Sequence, residues 1–325
     1  IFSKQFANPK SATFWLMVFF AVSALSISNS RIVGLAFYQL LKLAEFIGFY
    51  FYLKNNLGLI FRFRQVLAVI IASGIFQATV AVIQYLKQGS VGLRLLGEGP
   101  LSVNGSGVAV FIVDGAKYLR AYGTAPHPNI LAAWLFAAIF AFYYVYIYSP
   151  AGSKTGFDRW GLAAYALILF GFFFTFSRVI VGLWVLGILI RLGLVFLKNN
   201  YSQNLTLIRR RVMMISLASV AVCGLFAFLY WPQVRSRIHI SAQEEAVTQR
   251  IFYNKIAEFT AASHPLLGVG IGQFVPNFIY TFKHLPAAAY QPVHNIYLLM
   301  ASETGFAGLA AFGMFLFFIL RRFIK

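Results

Sequence analysis

Apolar residues in this chain come in runs of about 20, the length that crosses roughly 30 Å of hydrocarbon. About eight runs are legible: Ser11–Ser28, Ile32–Leu53, Gln65–Leu86, Asn129–Ser149, Trp160–Ser177, Arg178–Leu197, Val212–Trp231 and Asn295–Leu320. Within the second, Lys42 and Glu45 stand three apart, a spacing that pairs on one helix face. Two polar stretches are too long for tight turns. Lys87–Pro128 is glycine-rich and predicts a short helix around Val108–Leu119. The other begins near Trp231 and runs through His294 directly into the last apolar run at Asn295. The pattern predicts an all-α, polytopic helical bundle forming a single membrane domain over residues 1–325. Its long loops are 87–128 and a larger, partly helical one at 232–294.

Composition strengthens this reading. The 325 residues are 60% hydrophobic and 18% aromatic, with a mean hydropathy of +0.75. A soluble domain could not hide that much apolar surface. The formal net charge of +19 comes from 27 basic and 8 acidic residues. In a membrane chain such an excess is expected as anchoring, which disfavours nucleic acid as a partner and suits an anionic ligand or membrane lipids. The single cysteine, Cys223, excludes an intramolecular disulfide and a thiolate metal cluster. Ile1 in place of an initiator methionine predicts a fragment or a processed form.

Charge then sets an orientation. With the N-terminus cytoplasmic, the inner linkers hold Lys4, Lys10, Lys54, Arg62, Arg64, Lys154, Arg159, Lys198, Arg209, Arg210, Arg211, Arg321, Arg322 and Lys325. That clustering in short linkers is what the positive-inside rule expects. Both long loops then face outward, where length overrides charge. The expected setting is a cytoplasmic membrane, crossed many times, with the working face outside.

The outer face also collects the polar residues that could do chemistry. Arg120, His127, Asn129, Arg178, Arg250, His264 and His294 all fall there. Arginines with few nearby carboxylates suit phosphate, because the guanidinium fork meets two phosphate oxygens and stays charged. Nucleotides are absent outside the cytoplasmic membrane, so the phosphate substrate expected there is lipid-linked, such as a polyprenyl diphosphate glycan. Diphosphate is a competent leaving group, and arginines can carry its developing charge. The chain has no Asp-x-Asp and no acid or histidine cluster at metal-ligand spacing, so the expected chemistry uses no metal and no cofactor. His294 is the candidate to take the proton of an incoming hydroxyl.

Each of these residues also has a plainer role open to it. Arg250 could be a solvated residue on the amphipathic stretch Ser241–Ala262, and Arg178 an interfacial anchor. His294 could simply precede Asn295 as a helix N-cap. His127 and Asn129 could shape the start of the fourth run around Pro128. His264 with Pro265 reads as turn chemistry, and His239 and His284 as surface residues. Gly268-x-Gly270-x-Gly272 lacks the strand–helix unit of a dinucleotide loop and reads as a flexible hinge. Glu303, just inside the last run, reads as a hydrogen bond to a neighbouring helix. A transporter, flippase or exporter of lipid-linked polysaccharide is the rival class. It would need a charged cavity through the bilayer, and the runs carry few charges.

Four stretches together resemble the O-antigen ligase and polymerase superfamily of bacterial membrane glycosyltransferases. They are Arg120-Ala-Tyr-Gly-Thr-Ala-Pro-His-Pro-Asn129, Ser177-Arg178, Arg250 followed by His264-Pro-Leu-Leu-Gly-Val-Gly-Ile-Gly-Gln-Phe274, and His294-Asn-Ile-Tyr-Leu-Leu with Glu303-Thr-Gly-Phe-Ala-Gly308. The resemblance implies a type-C glycosyltransferase-like bundle whose outer loop folds over a cavity between helices. It implies that Arg178 and Arg250 bind the diphosphate of a polyprenyl-linked glycan donor and that His294 is the base for the acceptor hydroxyl. Arg120, Asn129 and Asn295 would line the substrate site. The acceptor would be lipid A core for a ligase (a lipopolysaccharide-forming reaction), another lipid-linked glycan for a polymerase, or a protein hydroxyl for an oligosaccharyltransferase. Val179 and Ile180 stand where the family usually has small residues.

Overall fold

The computed structural model describes residues 8–148, 160–197, 203–238, 245–286 and 289–324. Lys4, Lys154, Arg159, Lys198, Lys325 and His239, read above as inner-linker or surface residues, lie outside them. Eleven α-helices are described, with one two-stranded sheet. The chain divides into two compact units, Ile1–Asn56 together with Ser241–Lys325, and the central segment Leu57–Ile240.

The central unit contains α3 (Phe63–Lys87), α4 (Pro128–Ile147), α5 (Trp160–Phe173), α6 (Arg178–Phe196), α7 (Gln203–Leu229) and the short α8 (Trp231–Ile238). The packing of α3 against α4 and α5 is set by small residues. A Cβ at Gly74 would collide with Ala138, and one at Gly171 with the backbone of Ala78. Close approach of this kind is how apolar helices associate where no hydrophobic driving force separates them from lipid. Around these contacts lies a core of large buried side chains, among them Phe142, Tyr165, Phe172 and Phe174. Tyr143, Tyr165 and Ser219 join their hydroxyls inside it, so these three polar groups are paired with one another.

Basic side chains finish the helices here. α7 begins nine residues before the expected Val212 and so takes in Arg209–Arg211, read from the sequence as linker. Arg211 donates to the carbonyl of Ile147 and Arg209 to that of Val195, while Arg64 donates to that of Tyr148. These are the orphan carbonyls at the ends of α4 and α6, where a cation is favoured.

The helix expected around Val108–Leu119 is instead a β-hairpin, β1 (Val110–Val113) and β2 (Ala116–Leu119), paired antiparallel with Val113 opposite Ala116. The reason is local. Asp114 and Gly115 both take positive φ, 48° and 82°, as a two-residue type I′ hairpin turn needs, and Asp-Gly is a favoured pair for it. Phe111 and Val113 are buried and Ile112 is exposed, a period of two rather than 3.6.

The other unit contains α1 (Ala12–Ser26), α2 (Val33–Asn56), α9 (Glu245–Ser263), α10 (Phe274–Thr281) and α11 (Ile296–Ile324). α11 packs along α1, with the rings of Phe19 and Phe312 5.6 Å apart. It is broken at Gly305, where φ is 70° and ψ −176°, a region open essentially to glycine alone. A break inside an apolar helix frees backbone groups that need partners in a medium without water. The segment Pro265–Phe274 supplies them. Phe306 N–H, which would have bonded Ser302 C=O in an unbroken helix, donates to Pro265 C=O. The carbonyls of Ser302 and Glu303 accept from Val269 and Gly270 N–H.

That segment therefore does not behave as the flexible hinge expected of its glycines. Gly268, Gly270 and Gly272 all have positive φ, and a Cβ on Gly268 would collide with the backbone of Glu303. The buried Glu303 carboxylate accepts from Gly272 N–H (2.8 Å) and Phe274 N–H (3.1 Å). From the other side, Asn29 donates to Gly268 C=O, Ser26 Oγ accepts from Ile271 N–H, and Gln273 makes a two-way amide pair with Ile32. The glycines are there because backbone meets backbone, and the loop is fastened at nearly every residue.

Seven of the described helices are long and apolar enough to cross a membrane: those starting at Ala12, Val33, Phe63, Pro128, Arg178, Leu205 and Ile296. The fifth expected run, Trp160–Ser177, is a 14-residue apolar helix ending at Phe173. Its last four residues lie outside that helix, and two of their carbonyls are taken by residues from elsewhere in the chain. Phe174 C=O accepts from Ala121 N–H, and Thr175 C=O from Arg120 Nε.

Candidate active site

Arg250 and His294, 44 positions apart in sequence, line one open cleft of about 410 Å³ with Asn254, Asn295, Ile296 and Tyr297. Arg250 and Asn254 sit one turn apart on α9 and so share a face. His294 and Asn295 stand at the start of α11. Both Arg250 and His294 are exposed, as groups that must meet a substrate would be.

What holds His294 there is the small core beneath it. Tyr253, Ile256, Ala257, Phe274, Phe278 and Val293 pack together, so the residue immediately before His294 is buried while His294 faces out. The Tyr253 ring meets the imidazole edge-on with centroids 6.4 Å apart. The Tyr253 hydroxyl donates to Ala289 C=O at 2.9 Å. Burial pushes this phenol up from its ordinary range, which keeps the donor protonated. Asn295 caps α11, its Oδ1 accepting from Tyr297 N–H (3.0 Å) and Leu298 N–H (3.3 Å). The cleft thus combines a guanidinium, an imidazole and the positive end of a helix, a combination that favours an anion.

The central unit carries the remaining predicted residues. Arg178 is the first residue of α6, half-buried, and follows Phe176, whose φ of 48° is unusual for an aromatic residue. Arg120 reaches the same junction. Its Nε donates to Thr175 C=O (2.7 Å) and its Nη2 to Asn129 Oδ1 (2.6 Å). His127 caps α4 by accepting from Asn129 N–H at Nδ1. Arg120, Asn129 and His127 therefore tie the start of α4 to the turn from which Arg178 emerges.

Several residues of these arrangements were passed over in the sequence. Asn254 and Tyr297 share the Arg250–His294 cleft. In the central unit Gln84, fully buried in α3, accepts from Tyr122 and Gly123 N–H and donates to Gly123 C=O and Glu98. Gln77, two turns earlier, brackets Thr124 in the same way. The signal was available: two glutamines seven apart in an apolar run lie on one helix face. Glu98 accepts from Val91, Gly92 and Leu93 N–H. Burial alone would raise its pKa, but these bonds and Gln84 outweigh burial and bring it down to about 2. Among the described residues, no three His, Cys, Asp or Glu side chains are grouped as a metal site would need.

A chain with this many long apolar helices and so little sheet is a polytopic all-α membrane protein. Residues 163–313 match the family model described as O-antigen ligase, which supports the resemblance to the O-antigen ligase and polymerase superfamily. The matched segment contains Arg178, Arg250, His294 and Glu303, while Arg120 and Asn129 precede it. No curated protein and no solved structure matches the chain significantly.

Proposed function

We propose that the protein moves a glycan from a polyprenyl-diphosphate carrier to an acceptor hydroxyl at the outer face of the cytoplasmic membrane. The observation that carries this reading is the meeting of Arg250 and His294 in one open cleft at the capped N-terminus of α11. In the reaction the acceptor oxygen attacks the anomeric carbon as the bond from that carbon to the diphosphate breaks, with inversion. His294 takes the hydroxyl proton. Arg250 meets the charge that develops on the leaving diphosphate, helped by the helix N-terminus. The family resemblance assigns Arg178 to the diphosphate as well, and Arg120, Asn129 and Asn295 to substrate binding. Arg120 and Asn129 brace the turn from which Arg178 emerges, and Asn295 lines the cleft while capping α11. Because arginine charge stabilises the leaving group, the reaction is expected to run without metal or cofactor.

The test is turnover by the purified protein of a synthetic polyprenyl-diphosphate glycan, with lipid A core, a second lipid-linked glycan and a hydroxyl-bearing peptide as rival acceptors. The acceptor consumed decides between ligase, polymerase and oligosaccharyltransferase. His294→Ala should lower the rate about a hundredfold or more, and Arg250→Ala by about the same factor, with both proteins keeping their melting temperature. Wild-type rates in either variant would remove the catalytic assignment, and loss of turnover in EDTA would remove the metal-free mechanism. Release of free carrier lipid separates this reading from a flippase, which moves the intact donor.

A further inference from the structure

The unit that carries Arg250 and His294 has a second and larger opening, at the other end of α11. A cleft of about 880 Å³ lies where α1 begins and where α2 and α11 end. Lys10, Lys54, Arg321 and Arg322 line it, and among the described residues no carboxylate does. Tyr50 and Phe318 supply apolar wall. α11 has 29 residues, about 40 Å of helix path at 1.5 Å per residue, and the two clefts lie at its opposite ends.

Helix-end electrostatics explain only part of this charge. Lys54, Arg321 and Arg322 sit in the last turns of α2 and α11, where cations complement the negative helix end. The start of α1 is the opposite case. It is a positive end, capped by Ser11 Oγ accepting from Phe14 N–H, and its first turn has no acidic residue. Lys10 stands directly before the cap instead. Lys54 turns inward to donate to Thr13 Oγ1 at 2.8 Å, in that same first turn, bringing its charge to the positive end rather than away from it. Four cations and a helix N-terminus of the same sign thus converge on one cavity.

We propose that this cleft binds the headgroup phosphate of an anionic phospholipid of the surrounding bilayer. The cations and the α1 N-terminus hold the phosphate, and the first acyl carbons lie against Tyr50 and Phe318. The cavity is far larger than a phosphate, its walls are part apolar, and it opens where the spans reach their polar ends. Such basic pockets at helix ends are what anionic headgroups recognise.

The experiment titrates detergent-solubilised full chain with phosphatidylglycerol or phosphatidylcholine, following bound lipid by native mass spectrometry and the melting temperature in parallel. Phosphatidylglycerol should be retained at one molecule per chain and raise the melting temperature, and phosphatidylcholine should do neither. Arg321→Gln with Arg322→Gln should weaken phosphatidylglycerol binding about thirtyfold, and Lys10→Gln, at an exposed position, should weaken it by a smaller factor. The control double variant Arg62→Gln with Arg210→Gln, in the central unit, should bind as wild type. Equal retention of phosphatidylcholine, equal protection by inorganic phosphate, or equal weakening in the control variant would each overturn the assignment. If the Arg321/Arg322 variant fails to fold, unchanged binding by Lys10→Gln would overturn it.

Discussion

The chain has two glycine-rich polar stretches that look alike as text, Lys87–Pro128 and His264–Phe274, and the protein fastens them in different ways. The first is held by side chains. Gln84 and Gln77 reach out of an intact α3 to bond its backbone, and Glu98 gathers three N–H groups of the loop itself. The second is held by backbone. α11 breaks, and its freed carbonyls and N–H exchange bonds with the loop, while Glu303 takes two further N–H groups. A side-chain fastening can be weakened one bond at a time. A backbone fastening depends on glycines that no other residue can replace.

The sharpest way to break this contrast is Gly305→Ala. Its φ and ψ are closed to alanine, and the new Cβ would strike the Leu266 carbonyl, so a loss of about 4 kcal/mol is expected. That is a large part of ordinary stability, and the yield and melting temperature of the detergent-purified protein would report it. Wild-type behaviour would mean that the break is dispensable. Gln84→Leu should cost about 3 kcal/mol, because it leaves Tyr122 and Gly123 N–H buried without their acceptor. A wild-type melting temperature in Gln84→Leu would show that the bonds carry no weight.

The Glu98 cluster adds a pH-dependent test of the side-chain fastening. Its folded pKa of about 2 lies below the ordinary value of 4.5, so the stabilisation is fully present above about pH 4.5 and disappears as pH falls through 2. It amounts to about 3 kcal/mol. Wild type should therefore melt above Glu98→Gln by a constant margin from neutral pH to about 4.5, and the margin should close toward pH 2. A margin independent of pH would assign the difference to packing. The smallest effect is expected at Gly115, which has positive φ but open space around it. Gly115→Ala should cost about 1 kcal/mol, against the much larger loss at Gly305, where φ and crowding act together.

Most of the bundle was legible from run length alone, because a helix in lipid satisfies its own backbone and needs only about 20 apolar residues to announce itself. The errors sit where backbone groups are satisfied by something else. Asp114-Gly115 was a readable hairpin signal overridden by an expectation of helix. The end of α5 could not be read, because the carbonyls just beyond it are taken by Arg120 and Ala121, 53 or more positions earlier. Glycines 268, 270 and 272 suggested freedom, since sequence shows what glycine permits and not what presses against it. For the candidate site, Arg250 and His294 were legible through their residue chemistry and the family motifs. Their partners Asn254 and Tyr297 were visible only as spacing, and the tie between Arg120 and Asn129 only as geometry.

The break in α11 also sets a phase. Between the Asn295 cap and Gly305 lie nine helical residues, Ile296–Thr304. Glu303 is clamped at one end of that short rod and His294 precedes the other. Each residue of a helix turns the chain by about 100°, so the compass bearing of His294 is indexed to the clamp. One residue inserted between Tyr297 and Met300 would swing His294 by more than a quarter turn away from Arg250, while every apolar run, every charge and every motif residue remained in place.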